Sequence, residues 1–442
     1  MTAEVIVMNR LGIAMAADSA VTIGNAKTYS SAEKLYQLSE TGPVGVMVYG
    51  NGTCLETPWE TIIKGFRKHK AGGCCDTVQN YAEQFFNYLN TWSKSNFQYT
   101  KKFQENFVRE YSTFYILKIL NQAKKKAEGA EKKGGYRNIL AELIRTEISE
   151  EFRNSKDSES TQTYEWSSDF DKELMQAYGN IIDDAFKEAG KQVDDEYKMA
   201  EDLLPIYREL IIDSFKKKDL SHPQQSGLVF AGFGEKEFFP RVFQVIFRGM
   251  VNNRSLHYFD KKWEINADSP AWIIPFAQIE MVYTFLYGIH PQLHSVLDVS
   301  TRELIIEMAR AILNKVKENA AEYGQELEKE INPKIAELCD KHARELNDVI
   351  MEYFLYPIWA AVASLPKVEL AAMAESLVNL TKFKRHVSKE QETVGGPIDV
   401  AVLTKGDGFV WVKRKHYFDP ELNPRLISRL YLGRRGDQNV GA

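Results

Sequence analysis

Long apolar runs are missing from this chain. None of its 442 residues belongs to an uninterrupted apolar stretch approaching the ~18 residues that a membrane-crossing helix needs. The first residues carry neither a basic n-region nor a long apolar core, so no secretory signal is expected. Cysteine is scarce: Cys54, Cys74, Cys75 and Cys339 have no disulfide-framework spacing and read as reduced thiols. There is no excess of basic charge either. With 56 Lys and Arg against 61 Asp and Glu, the net charge of −5 gives no footprint for nucleic acid or an anionic membrane. No internal repeat of fixed period is present. Gly227, Gly232 and Gly234 open no helix in a phosphate-binding order, which argues against a nucleotide site. Cys74 and Cys75 near His69 lack a second Cys pair, so they read as a loop before a helix rather than a metal site. What remains is a globular protein, 44% hydrophobic and 26% charged, expected in the cytoplasm without nucleic-acid or membrane partners.

Along the chain, strand and helix character alternate in blocks. Glu4 to Met8 and Ile13 to Ala17 are short apolar runs around the turn Asn9-Arg10-Leu11-Gly12, and Lys34 to Leu38 and Val44 to Tyr49 flank a second turn. From Glu56 the period becomes helical, with Cys75-Asp76-Thr77 as an N-cap signal before Val78, Tyr81, Ala82, Phe85 and Phe86. A charged helical region runs to about Leu220, broken at 128–135 and 154–163. Strands return at 227–234, 241–248 and 254–259, and Pro275 to Gln278 leads into an aromatic helix ending near Gly288. Residues 300–385 read as helical with Pro333 and Pro366 as boundaries, before strands at 399–403 and 408–413. The run Lys413 to His416 reads as the solvated end of the last strand. This order suggests an α+β fold in which helices cover antiparallel sheets.

The register of the first hairpin gives the first functional hint. If Met8 faces Ile13, Thr2 faces Ser19 and lies one step from Asp18. Closing Leu38 on Val44 puts Lys34 opposite Val48, two residues before Gly50. With the hairpins side by side, Thr2, Asp18, Lys34 and the backbone at Gly50 converge. Methionine aminopeptidase removes Met1 when a small residue such as Thr2 follows, leaving a free threonine amine. Such an amine, with a pKa near ~8, can take the proton of the threonine hydroxyl. A lysine ammonium favours the developing alkoxide, a carboxylate keeps that lysine charged and oriented, and a glycine N–H can stabilise an oxyanion. The plainer alternatives are an exposed residue at a frayed terminus for Thr2, a structural ion pair for Asp18 and Lys34, and a turn for Gly50.

The order and spacing of Thr2, Gly12-Ile-Ala-Met-Ala-Ala-Asp18-Ser-Ala-Val-Thr22-Ile-Gly24, Lys34-Leu-Tyr-Gln-Leu38 and Val48-Tyr-Gly50 resembles the proteasome β-type and HslV-like N-terminal nucleophile hydrolases. Looser matches at 76–89, 228–234 and 369–402 extend the resemblance over about half of the chain. It implies a four-layer αββα sandwich as a single domain over 1–442, enlarged by helical insertions at about 95–222 and 290–360. It further implies a threonine peptidase with Thr2, Asp18, Lys34 and Gly50 as the catalytic set and no metal or organic cofactor. The implied partners are a peptide or unfolded-protein substrate, copies of the chain in a ring, and an ATPase unfoldase. An Asp and a Ser would support the threonine amine just before Gly395-Gly396, where this chain has Gln391 and Val394. A scaffold without activity and a small-molecule amidase are the competing readings.

Overall fold

The computed structural model describes residues 2–23, 27–70, 73–128, 136–157, 169–193, 201–217, 225–388, 394–416, 418–419, 421–425 and 428. Strands β1 (Ala3–Asn9) and β2 (Gly12–Ala17) form the first hairpin, and β3 (Val21–Ile23) pairs with β4 (Lys27–Tyr29) in a small ribbon. β5 (Leu35–Gln37) and β6 (Val44–Gly50) form the next hairpin. The short strands β7 (Thr53–Cys54) and β8 (Thr57–Pro58) lead into helices α1 (Trp59–His69) and α2 (Val78–Ser95). Four helices follow: α3 (Phe97–Glu128), α4 (Tyr136–Asp157), α5 (Phe170–Val193) and α6 (Leu204–Lys216). The chain returns to sheet through β9 (Ser226–Gly232), β10 (Arg241–Val251), β11 (Arg254–Glu264) and β12 (Ala271–Ala277). Then come α7 (Glu280–Tyr287), α8 (Pro291–Asn319), α9 (Ala321–Ile350), α10 (Tyr356–Ala363) and α11 (Lys367–Val387), and last β13 (Asp399–Thr404) and β14 (Gly408–Lys413).

Two five-stranded antiparallel sheets organise these elements, in the orders β12-β1-β2-β13-β14 and β11-β10-β9-β6-β5. β1 and β2 are buried on both faces, which is why their sequences run apolar without alternation. Ile6, Met8, Ile13 and Met15 of the first sheet share a core with Met47, Val229, Ala231 and Val242 of the second. The other face of the first sheet, through Val5, Val7, Ala14 and Ala16, packs on Val282 of α7 and on Leu370, Ala374 and Val378 of α11. The other face of the second, through Val46, Phe230 and Val245, packs on Ile62 and Phe66 of α1 and Phe85 and Phe86 of α2. Mixed helices and antiparallel sheets place the chain in the α+β class.

The helices α3 to α6 build a separate core around Ile116, Ile144, Phe186 and Tyr207, joined to the second sheet at Val251 and Leu256. Among the described residues no helix is long and apolar enough to cross a membrane. Three expectations need correction. Residues 271–277 form a strand that the sequence reading did not assign, with Pro275 opposite Val5, and only then does the expected aromatic helix run to Gly288. β12 is an edge strand, where a proline is tolerated because one side of the backbone makes no ladder bonds. Pro333 lies inside α9 and ends no helix. Lys415 is not solvated: it forms an ion pair with the buried Asp399, whose Oδ1 also accepts the Lys415 backbone N–H at 2.8 Å.

Arg248 of β10 latches the four-helix block to the sheet. Its side chain is 2% exposed and donates to the carbonyls of Ser214 and Lys217 at the C-terminal end of α6. The Ser214 carbonyl otherwise takes only the 3.4 Å bond from the capping Lys217 N–H, and a cation there also meets the negative end of the helix dipole. Arg248→Met should therefore loosen the block, raising the rate of limited proteolysis within residues 97–216 while the sheet core stays resistant.

Candidate active site

The turns set both hairpin registers. Met8 faces Ile13 and Glu4 faces Ala17, so the next step brings Ala3 opposite Asp18, whose N–H donates to the Ala3 carbonyl at 3.1 Å. Leu35 faces Met47, and the Val48 N–H donates to the Lys34 carbonyl at 2.9 Å. The hairpins, placed side by side in the sequence reading, meet across the core shared by two sheets. They belong to the two different sheets, and Lys34 reaches from the second to the first.

Asp18 is the node. Its Oδ1 accepts the Ala3 N–H at 3.0 Å and the Lys34 ammonium at 2.6 Å. Its Oδ2 accepts the N–H groups of Ala20 at 3.1 Å and Gly395 at 2.9 Å. Asp18 is fully buried and the Lys34 side chain is 7% exposed. Ser19 completes the junction: its N–H donates to the Gly395 carbonyl at 3.0 Å and its hydroxyl to the Pro397 carbonyl at 2.5 Å.

Thr2 stands next to this node and is 6% exposed, with its carbonyl accepting the Gln278 N–H at 3.1 Å. Met1 lies outside the described residues. Thr2, Asp18 and Lys34 are thus brought together. Gly50 is tied to them through β6 rather than by a described contact of its own: it ends the strand, two residues past Val48, with φ of +80°. That left-handed backbone and the 2.5 Å that would separate a Cβ from the Gln225 carbonyl both require glycine. Gln391 lies outside the described residues, whereas Val394 is fully buried in the core between the first sheet and α11, where it offers no hydroxyl.

Three contributors escaped the sequence reading. Gly395 supports Asp18 through its backbone N–H, a role to which no side chain points. Gln278 holds Thr2 from β12's end and itself accepts a hydrogen bond from Arg385 of α11. Glu4 had a visible signal, since it is the one charged residue within Ala3–Asn9. It is fully buried on the face of β1 that looks between the sheets, and neither carboxyl oxygen has a hydrogen-bond partner. Burial pushes its carboxyl from 4.5 up to about 8, with Lys34 opposing the shift and Asp18 adding to it. Among the described residues no group of three His, Cys, Asp or Glu side chains is placed to hold a metal ion.

The fold and site together define an α+β protein with a buried Thr–Asp–Lys cluster at the start of an inner strand. Its similarity to known proteins is confined to solved structures. An Anbu (Gly-1) mutant from Hyphomicrobium sp. strain MC1 is 11% identical, with 100% of this chain and 99% of that one covered and a TM-score of 0.28. Anbu from the same strain is 10% identical over 100% and 98%, with a TM-score of 0.29. Anbu (ancestral beta-subunit) from Yersinia bercovieri is 11% identical over 100% and 99%, with a TM-score of 0.26. Superpositions this poor carry neither the fold nor the chemistry of those proteins to this chain. No family model and no curated protein matches it. The resemblance to the proteasome β-type and HslV-like family is accordingly corrected: no family model matches, and the three structures above bear the name Anbu.

Two stability measurements follow. Asp18→Asn turns one acceptor oxygen into an N–H donor facing existing donors and leaves Lys34 without a countercharge. Urea denaturation should show a loss of about 3–5 kcal/mol, the usual cost of breaking a buried pair. For Glu4, the folded state keeps a proton that the unfolded chain releases near 4.5, so its contribution is complete below that pH and is lost as pH rises to about 8. Wild-type stability should therefore fall relative to Glu4→Gln by up to about 1.4 kcal/mol per pH unit across that window, with a constant difference above it.

Proposed function

We propose that this chain is an amide hydrolase whose nucleophile is the hydroxyl of Thr2, acting on peptide bonds in peptides or unfolded protein. One observation carries the reading: the carboxylate that takes the Ala3 N–H, next to Thr2, also fixes the Lys34 ammonium at 2.6 Å in a buried setting. Removal of Met1 frees the Thr2 α-amine, which accepts the hydroxyl proton as Oγ attacks the substrate carbonyl carbon. Lys34 lowers the cost of negative charge on Oγ, and a backbone N–H at Gly50 receives the oxyanion. As the tetrahedral intermediate collapses, the C–N bond breaks and the α-ammonium returns its proton to the departing amine. Water then attacks the acyl ester with the α-amine as base, which releases the acid and restores the Thr2 hydroxyl. The four-layer αββα architecture, the treatment of 95–222 and 290–360 as insertions, and assembly with copies of itself and an ATPase belong to the same proposal.

A scaffold without activity is the second reading, favoured by Val394, which is apolar and buried where a supporting hydroxyl was expected. Intact mass of the protein from its native host, followed by treatment with a β-lactone, separates the two. Loss of Met1 and one adduct mapped to Thr2 support the hydrolase. Retained Met1 and no adduct support the scaffold. Cleavage of fluorogenic peptides should fall by about 10³-fold or more in Thr2→Ala. Turnover of small amides without peptide cleavage would reassign the substrate.

A further inference from the structure

One buried acid takes no part in this reaction. Glu4 lies two residues from Thr2 on the same face of β1, between Ala17 of β2 and Phe276 of β12. Lys34 and Asp18 are its charged neighbours from the segments ahead of β5 and after β2. From β6, Tyr49 stacks on Phe276 at 6.1 Å, and its hydroxyl accepts a hydrogen bond from Gln244 at 2.6 Å. Tyr36 of β5 also feels Glu4, and its hydroxyl donates to the Glu33 carbonyl. On the far side of Ala17, β13 contributes Asp399, already answered by Lys415.

We infer that Glu4 serves the site as a neutral acid, and that its ionisation draws Lys34 away from Asp18 and so disarms Thr2. The inference rests on the reading of Thr2 as nucleophile. Its physical basis is an unequal competition. Without Lys34, Asp18 still accepts three backbone N–H groups, from Ala3, Ala20 and Gly395. An ionised Glu4 has none, because both of its oxygens are unpartnered. A buried carboxylate without donors is far less stable than one that accepts three N–H groups, so the ammonium lowers the energy more by turning to Glu4 than by staying with Asp18. While Glu4 holds its proton, Lys34 belongs to Asp18 alone. Once it ionises, the positive charge leaves the place where an alkoxide forms.

The test uses the full chain with Met1 removed and a β-lactone as probe, with the rate of adduct formation at Thr2 followed by intact mass. Deprotonation of the α-amine raises that rate with pH in every variant, so each variant is compared with wild type at the same pH. The ratio of Glu4→Gln to wild type should grow about ten-fold from pH 7 to pH 9, as for one group titrating near 8. Glu4→Met, uncharged and apolar, should show the same growth, which guards against an effect peculiar to the amide. A ratio that stays flat in both variants overturns the inference. The urea comparison of Glu4→Gln with wild type keeps the two failures apart. If the stability difference grows with pH but wild type never labels, the nucleophile reading has failed and the inference falls with it, although Glu4 is neutral. If labelling occurs and the stability difference is independent of pH, Glu4 is not a neutral acid and the inference alone is wrong.

Discussion

The carboxylate of Asp18 is the interaction on which the site depends. It closes the open end of the first hairpin, holds a lysine from the opposite sheet, and fixes Gly395, a residue 377 positions downstream. Taking a charged group out of water costs several kcal/mol unless donors replace the solvent. Here three backbone N–H groups and one ammonium do so. Because each donor belongs to a different segment, a single charge sets the relative positions of the N-terminus, the entry to β5 and the loop before β13. That is more than a hydrophobic contact can do, since apolar packing is not directional.

The stacking of the two sheets explains why the cluster is buried. Tyr49 folds over Gly227 so closely that a Cβ there would lie 1.9 Å from its ring, which lets the ring reach Phe276 of the facing sheet. The aromatic pair closes the space beside Glu4, whose two carboxyl oxygens have no hydrogen-bond partner. A charged residue in an otherwise apolar inner strand is costly to the fold. Its cost is lowest when it stays protonated, and the same burial that imposes this leaves Lys34 to Asp18.

Local pattern made the hairpins legible, because a tight turn fixes register and every later pair follows from it. Met8 against Ile13 and Lys34 against Val48 both came from that arithmetic. Thr77 as the cap of α2 was equally local, with its side chain accepting the Asn80 N–H at 3.1 Å. What the pattern could not give was which sheet each hairpin joins, since that depends on cores shared by distant segments. β12 was hidden by its proline, and the role of Gly395 by being a backbone N–H. The family resemblance rested on the spacing of a few residues from Thr2 to Gly50, and of these Thr2, Asp18 and Lys34 come together in space. Their meeting defines a geometry, not a lineage.

The large helical block meets the second sheet at the end where Gly50 lies. Gly50 pairs with Ser226 of β9, and Ser226 with Phe247 of β10, so the end of β10 continues from the Gly50 edge into the helices. A register shift between Phe247 and Gly249 bends the strand there, and the Phe107 ring of α3 occupies the space a Cβ on Gly249 would need. Beyond it, Asn252 and Asn253 adopt positive φ angles of 48° and 59°, as a two-residue hairpin turn demands. The helices clasp that turn: the Asn252 N–H donates to the Tyr178 hydroxyl at 3.0 Å and the Asn253 N–H to the Gln104 side chain at 2.7 Å. The block is therefore anchored at the same end of the second sheet as Gly50. Because β10, β9 and β6 are joined by continuous ladders, a displacement of the helices that moved β10 would move the Gly50 backbone with it.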